Sequence, residues 1–425
     1  MQIEFIIFAA MILVFMIGCF LLKLPVSIAM LLASITGTII GGQGIPIRHL
    51  VEGTFGYIDT ILVIATAMMF MKVIQESGAL NALSSLIVKK FHKRPAILLI
   101  LLMLIVMFPG MITGSSTAAV LSAGSLIAPV LMTMGIPKIE TGAIIAIGGL
   151  LGMIAPPVNV PAMIIGGGID IPYVGFTIPL LLLTIPTAIF TVLYLGLKYT
   201  KNFDYNSIID TTAATKEGKA NGIVIYLPIL MVLFLMIGTK VMPGIIPDLG
   251  MPLIFTLGSL IGLFTGDKVN VLTTFKDAVN TSLPVLGILM GVGMFIQVMT
   301  LTGVRGFIVT SCLSLPSVLL YLGIAFAIPA FGAVSSFGAA SVLGVPFLLA
   351  LLNKNQIVTA SALSFIASLG DLVPPTALAG IFAAQVVGEE KYINVLKKCA
   401  VPAAVILIYG LMFIIFAEQI GAVIF

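Results

Sequence analysis

Apolar runs alternate with short polar breaks along the whole chain. In the first half they cover residues 4–22, 24–41, 57–76, 95–112, 116–134, 138–168 and 172–197. In the second they cover 223–241, 249–266, 283–301, 316–333, 336–352, 355–386 and 399–424. At about 1.5 Å per residue, roughly 18 to 20 residues cross a hydrocarbon core, so most of these runs predict membrane-spanning helices. If every run crossed, the positive charge would scatter over both sides. Reading 95–134 and 316–352 as re-entrant hairpins, entering from the cytoplasmic and external faces respectively, places 15 of the 20 basic residues on one side. Arg48, Lys240, Arg305 and Lys354 fall opposite, and Lys72 lies within a helix. Positive charge collects on the cytoplasmic side, so both termini are expected outside.

Composition excludes an aqueous globular domain, because 60% of the chain is hydrophobic and 8% charged. With no Trp, Tyr57, Tyr173, Tyr194 and Tyr226 are the candidates for the headgroup zone. Cys19, Cys312 and Cys399 are scattered through apolar surroundings and read as packing residues, without metal spacing. The N-terminal run is expected to stay uncleaved, since no basic segment or small-residue cleavage site accompanies it. His49 and His92 fall in polar breaks, there is no His-Glu-x-x-His, and neither Asp267 nor Asp371 has a partner acid motif. The expectation is therefore no enzyme, no cofactor and no nucleic-acid partner.

The two halves repeat. Pro25 aligns with Pro252, Phe70 with Phe295, Gly78 with Gly303, and Pro109 with Pro329. Ser115 and Ser116 align with Ser335 and Ser336, Gly124 with Gly344, Gly152 with Gly370, and Pro156 with Pro374. Across these nine pairs the offset drifts only from 227 to 218. The expected fold class is thus an all-α membrane protein of two inverted repeats, each with five crossings and one re-entrant helical hairpin. Residues 1–94 and 222–315 read as scaffold helices with an arm, and 95–170 and 316–388 as a hairpin plus a broken helix. Residues 171–197 and 389–425 close each half, and the polar stretch 198–221 is a cytoplasmic linker. The arms, 79–94 and 304–315, read either as interfacial helices or as ordinary loop helices.

The chemistry sits at the hairpin tips and the Pro-Pro breaks. Each tip turns mid-membrane at small residues, and Gly110 and Gly114 permit the first turn. The second hairpin arm begins at Ser115 or Ser116, so its free N–H groups could face an anion. Carbonyls and hydroxyls there suit Na⁺. Pro156 and Pro157 force the run 138–168 to unwind, freeing carbonyls near Met153, Ile154 and Ala155, with Asn159 adding a neutral oxygen. Two sodium sites are expected: Gly114, Ser115, Ser116, Ala155, Pro156 and Asn159; and Ser335, Ser336, Asp371, Val373, Pro374 and Thr376. Ser116, Thr117, Ser336 and Thr376 are the candidate substrate contacts. The blander alternatives are that the hydroxyl residues only pack helices and that Asp371 merely ends one. Lys72 is expected to snorkel and Gln297 to pack.

Residues 64–176, with GMITGSSTAAVLSAGSLIAPVLMTMGIPKIETG and GGLLGMIAPPVNVPAMIIGGG, resemble the large membrane subunit of tripartite ATP-independent periplasmic (TRAP) transporters. The likeness in length, repeat order and paired elements extends over nearly the whole chain. It implies an elevator-type carrier in a bacterial or archaeal inner membrane, driven by Na⁺ (or H⁺) and carrying an organic acid of dicarboxylate or sugar-acid type. It also implies a small four-helix membrane subunit and a periplasmic substrate-binding protein as partners. Two positions depart from the family pattern. Ser335-Ser336-Phe337 stands where an acidic or Asp-Pro element is common, and Val158 follows Pro156-Pro157 where Ser is frequent. A stand-alone carboxylate carrier of the same superfamily is the alternative; a passive channel fits less well with broken, repeated helices.

Overall fold

The computed structural model describes residues 3–202, 222–242, 247–314, 316–374 and 377–425. Every regular element among them is helical, and seven helices are long and apolar enough to cross a membrane. The first half contains α1 (Ile3–Leu21), α2 (Val26–Ile40), α3 (Ile47–Phe55), α4 (Ile58–Glu76) and α5 (Ala79–Phe91). It continues with α6 (Pro95–Thr113), α7 (Ser116–Thr133), α8 (Lys138–Ile154), α9 (Val160–Gly167) and α10 (Thr177–Gly196). The second half contains α11 (Leu227–Val241), α12 (Gly250–Gly262), α13 (Val271–Leu301), α14 (Val304–Leu313) and α15 (Ser317–Gly332). It ends with α16 (Ser336–Ala350), α17 (Gln356–Leu372), α18 (Leu378–Val386), α19 (Tyr392–Ile415) and α20 (Ala417–Ile424).

Proline and glycine set the boundaries. Pro25, Pro46, Pro137 and Pro316 stand just before helices and Pro95 opens α6, where a missing N–H costs nothing. Gly78 (φ 77°) and Gly303 (φ 76°) turn the chain through the left-handed region into the arms α5 and α14. Both arms are helices. In one respect the halves differ. The second has an unbroken helix of 31 residues, α13, where the first divides the same length at Gly56 and Tyr57 into α3 and α4. Hydropathy alone misses this, because the start of α13 carries Lys276 and Asp277, and α3 carries an exposed Arg48–Glu52 pair at 2.7 Å. His49 accordingly lies in a helix rather than a loop.

Two groups of helices pack densely within themselves. One joins α1–α4 to α11–α13, chiefly through α13 against α2, α3 and α4, and α12 against α4. The other joins α6–α10 to α15–α19 around α8 and α17, which are buried on nearly every face. A helix apolar all round belongs in such a position. The groups meet sparsely, through α4 against α6 and α13 against α16, with the arms bridging them at α5–α6 and α14–α16. Of the expected linker, residues 203–221 lie outside the described residues, as do Pro375 and Thr376.

Candidate ion and substrate site

The break between α8 and α9 is built by Asn159. Its Oδ1 accepts the Ala162 N–H at 2.8 Å, capping α9. Its Nδ2 donates to the Ile154 carbonyl at 2.8 Å and to Ser364 Oγ at 3.0 Å. One buried amide thus closes the gap left by the prolines and ties the first broken helix to the second. The Val158 N–H reaches the Met111 carbonyl at 3.1 Å, fastening the break to the first hairpin tip. Ala155 and Pro156 are buried behind this contact. Asn159 and the Ile154 carbonyl, expected to face an ion, are therefore already hydrogen-bonded within the protein.

At each tip the two serines divide their work. Ser115 Oγ accepts the Ala118 N–H and Ser335 Oγ accepts the Gly338 N–H, both at 3.2 Å. These are N-caps, and Gly114 (φ 65°) makes the preceding turn. The next serines point the other way, to one carboxylate. Ser116 Oγ donates to Asp371 Oδ2 and Ser336 Oγ donates to Asp371 Oδ1. Ser116, Ser336 and Asp371 are 3%, 4% and 7% exposed. Among the described residues no basic side chain pairs with Asp371. The two sites expected from spacing thus converge on one acid.

Backbone contacts fix that convergence. A Cβ on Gly332 would lie 2.7 Å from Gly370 Cα, and one on Gly110 would lie 2.7 Å from the Gly152 carbonyl carbon. Only glycine permits so close an approach of hairpin to broken helix, and it recurs in both halves. Asp371 follows Gly370 in the tight last turn of α17, Ser368–Leu372. Its counterpart across the repeat, at the offset of 218 that relates Gly370 to Gly152, is Met153. The site is consequently charged on one side only. Each second hairpin arm also carries a π-helical turn at matching positions, Val120–Gly124 and Ala340–Gly344, just beyond the tip serines.

A cavity of about 640 Å³ opens between the tips and the other helix group. Ser115, Ser116, Thr117, Ser335, Ser336 and Asp371 line one wall, and Lys72, Gln75, Thr281 and Ile288 of α4 and α13 line the facing wall. Lys72 is half-buried against the cavity. Gln297 packs beside Gly53, as expected. Val373 is half-buried, Pro374 is exposed and Thr376 lies outside the described residues. Gln75 and Asn81 also line the cavity without having stood out in the sequence. A lysine in an apolar helix was the one signal pointing there. Elsewhere the groups are latched by Tyr57, whose hydroxyl donates to the Ile164 carbonyl of α9 at 2.9 Å.

Sequence comparison matches residues 13–420 to the family described as "Tripartite ATP-independent periplasmic transporter, DctM component". The chain belongs to the DctM family. It is a multi-pass membrane protein and a permease component of secondary solute transport, not an enzyme. Comparison with curated proteins gives no match. Among solved structures, the DctM-family chain is similar to the YdaH transporter of Alcanivorax borkumensis, at 16% identity, with 86% of each chain covered and a TM-score of 0.61. At that identity the likeness concerns the transporter fold alone.

Proposed function

We propose that this chain is the carrier subunit of a Na⁺-coupled system that takes up an organic acid across a bacterial or archaeal inner membrane. The observation that carries the reading is the meeting of both hairpin tips on Asp371, at the edge of a cavity between two sparsely joined helix groups. A buried carboxylate without a basic partner needs a cation. Carboxylate and hydroxyl oxygens suit Na⁺, and a proton is the alternative. The site would thus take its ion at Asp371, Ser116 and Ser336, with the organic acid in the adjoining cavity near Thr117. The halves are read as inverted repeats, each of five crossings and one re-entrant hairpin. Helices α6–α10 and α15–α19 then form the body that moves against α1–α4 and α11–α13, bending at Gly78 and Gly303. A small four-helix membrane subunit and a periplasmic binding protein complete the system.

The test is uptake into proteoliposomes of a panel of organic acids, with and without an imposed Na⁺ gradient and with and without a candidate binding protein. Saturable uptake that follows the Na⁺ gradient supports the reading. Non-saturable flux indifferent to Na⁺ and to pH removes it.

A further inference from the structure

We infer that Lys72 is the counter-charge for the substrate carboxylate, and that it acts on one side of the transport cycle only. This rests on the organic-acid reading above and narrows it to anions that present a single carboxylate.

Lys72 lies one turn before the C-terminal end of α4, among the buried residues Met71, Val73 and Ile74. It is half-buried, it lines the cavity, and among the described residues no acidic group pairs with it. An ammonium held in such a wall gains from any anion that displaces the poorly placed water around it. The other charge in the lining is Asp371, on the facing wall and already engaged by Ser116 and Ser336. The cavity therefore has a cationic scaffold wall and an anionic tip wall. A carboxylate belongs at the first and the coupling cation at the second. A second carboxylate would have to turn toward Asp371 or toward Met153 and its apolar neighbours, where among the described residues the cavity wall carries no cation.

The sidedness comes from the repeat. The offset of 225 that relates Gly78 to Gly303 and Phe70 to Phe295 relates Lys72 to Gln297. Inverted repeats exchange roles when the carrier turns over, so in the opposite conformation the tips face the Gln297 end of α13. There the partner is a neutral amide. The cavity described here lies at the end of α4 that leads into the arm, which the positive-inside distribution assigns to the cytoplasm. The loaded carrier thus gains a charge partner as it turns inward. A ligand shifts a two-state equilibrium toward the state it binds more tightly, so the carboxylate itself favours the inward conformation.

The experiment uses the full chain in oriented proteoliposomes, comparing wild type with Lys72→Gln, Lys72→Met and Lys72→Arg. The probes are gluconate and N-acetylneuraminate, with one carboxylate each, against succinate and malate, with two. Half-saturation is measured separately from the cytoplasmic and external faces, and Na⁺-induced thermal stabilisation is read on the same preparations. Lys72→Gln is expected to raise the cytoplasmic-face half-saturation for a single-carboxylate probe about 10- to 100-fold, the worth of a charge-assisted contact. External-face half-saturation and stabilisation by Na⁺ should hold within about twofold, and Lys72→Arg should restore most of the loss. Should Lys72→Gln fail to fold, Lys72→Met makes the same comparison. Unchanged half-saturation, equal losses at both faces, or preference for the two-carboxylate probes overturns the inference while leaving the carrier reading intact. If wild type transports none of the acids, the functional reading fails and takes this inference with it.

Discussion

Ser116 and Ser336 stand 220 positions apart and donate to the two oxygens of one carboxylate, that of Asp371. Each follows a serine that caps its own helix, so neither is needed to start the helix it belongs to. Three elements from two halves of the chain are thereby tied to a single acid: both hairpin tips and the second broken helix. An ion at this point would sense the position of all three.

Replacing either serine separates the binding role from the packing role. Ser116→Ala or Ser336→Ala removes one donor to a buried carboxylate and one hydroxyl oxygen beside it. Each should raise the Na⁺ concentration for half-maximal uptake about 10- to 100-fold, from a charge-assisted contact of roughly 1.5 to 3 kcal/mol. The check is Na⁺-dependent uptake at saturating substrate. Unchanged Na⁺ dependence in both variants would return these serines to helix packing.

Asn159 should behave differently. Asn159→Ala strips the cap of α9 and two further hydrogen bonds, and should cost about 1 to 3 kcal/mol of stability. The thermal midpoint in detergent should fall while the Na⁺ dependence of the remaining folded carrier stays near wild type. A rise in the Na⁺ requirement without lost stability would make Asn159 an ion ligand after all.

The contrast shows what was legible. The repeat, the tips, the breaks and the paired glycines Gly78 and Gly303 were readable, because backbone turns and unwinding need Gly, Pro and Ser at fixed places in both halves. Direction was not. Spacing puts Ser115 and Ser116 at the same tip and cannot say which caps the helix and which turns to Asp371, since that depends on the rotation of a helix whose partner lies 255 positions away. The three partners of Asn159 were hidden for the same reason: they appear only when α8, α9 and α17 are assembled. Residues 271–282 escaped because polar side chains at the start of α13 hide a helix from hydropathy.

Gly370 tests the close approach that aims Asp371. Gly370→Ala places a methyl against the Gly332 backbone, an overpacking of about 1 to 3 kcal/mol that neither helix can relieve by side-chain rotation. Uptake should fall sharply in protein that still folds. Gly306→Ala is the matched control, because a Cβ there meets nothing within 4 Å. Equal effects of the two would mean that the contact does not govern the site.

The Tyr57 hydroxyl and the Ile164 carbonyl bridge the two helix groups, so any relative motion must break their bond. Tyr57→Phe should shift the balance of conformations by about 1 kcal/mol, roughly fivefold, away from the one described here. Cysteine accessibility at cavity-lining Thr281 should report the shift. Cysteines at 57 and 167, where a Cβ on Gly167 would meet the far edge of the Tyr57 ring at 3.0 Å, should stop transport when joined by a short bifunctional thiol reagent and release it when the bridge is reduced. Full transport through the verified crosslink would exclude sliding at this boundary.

Asp371 is the proposed ion site that joins the two tips. The most direct measurement is equilibrium binding of radiolabelled Na⁺ to purified, folded wild type, Asp371→Asn, Ser116→Ala and Ser336→Ala. Saturable binding should be present in wild type, weakened in both serine variants and lost in Asp371→Asn. Wild-type Na⁺ binding by folded Asp371→Asn would contradict it.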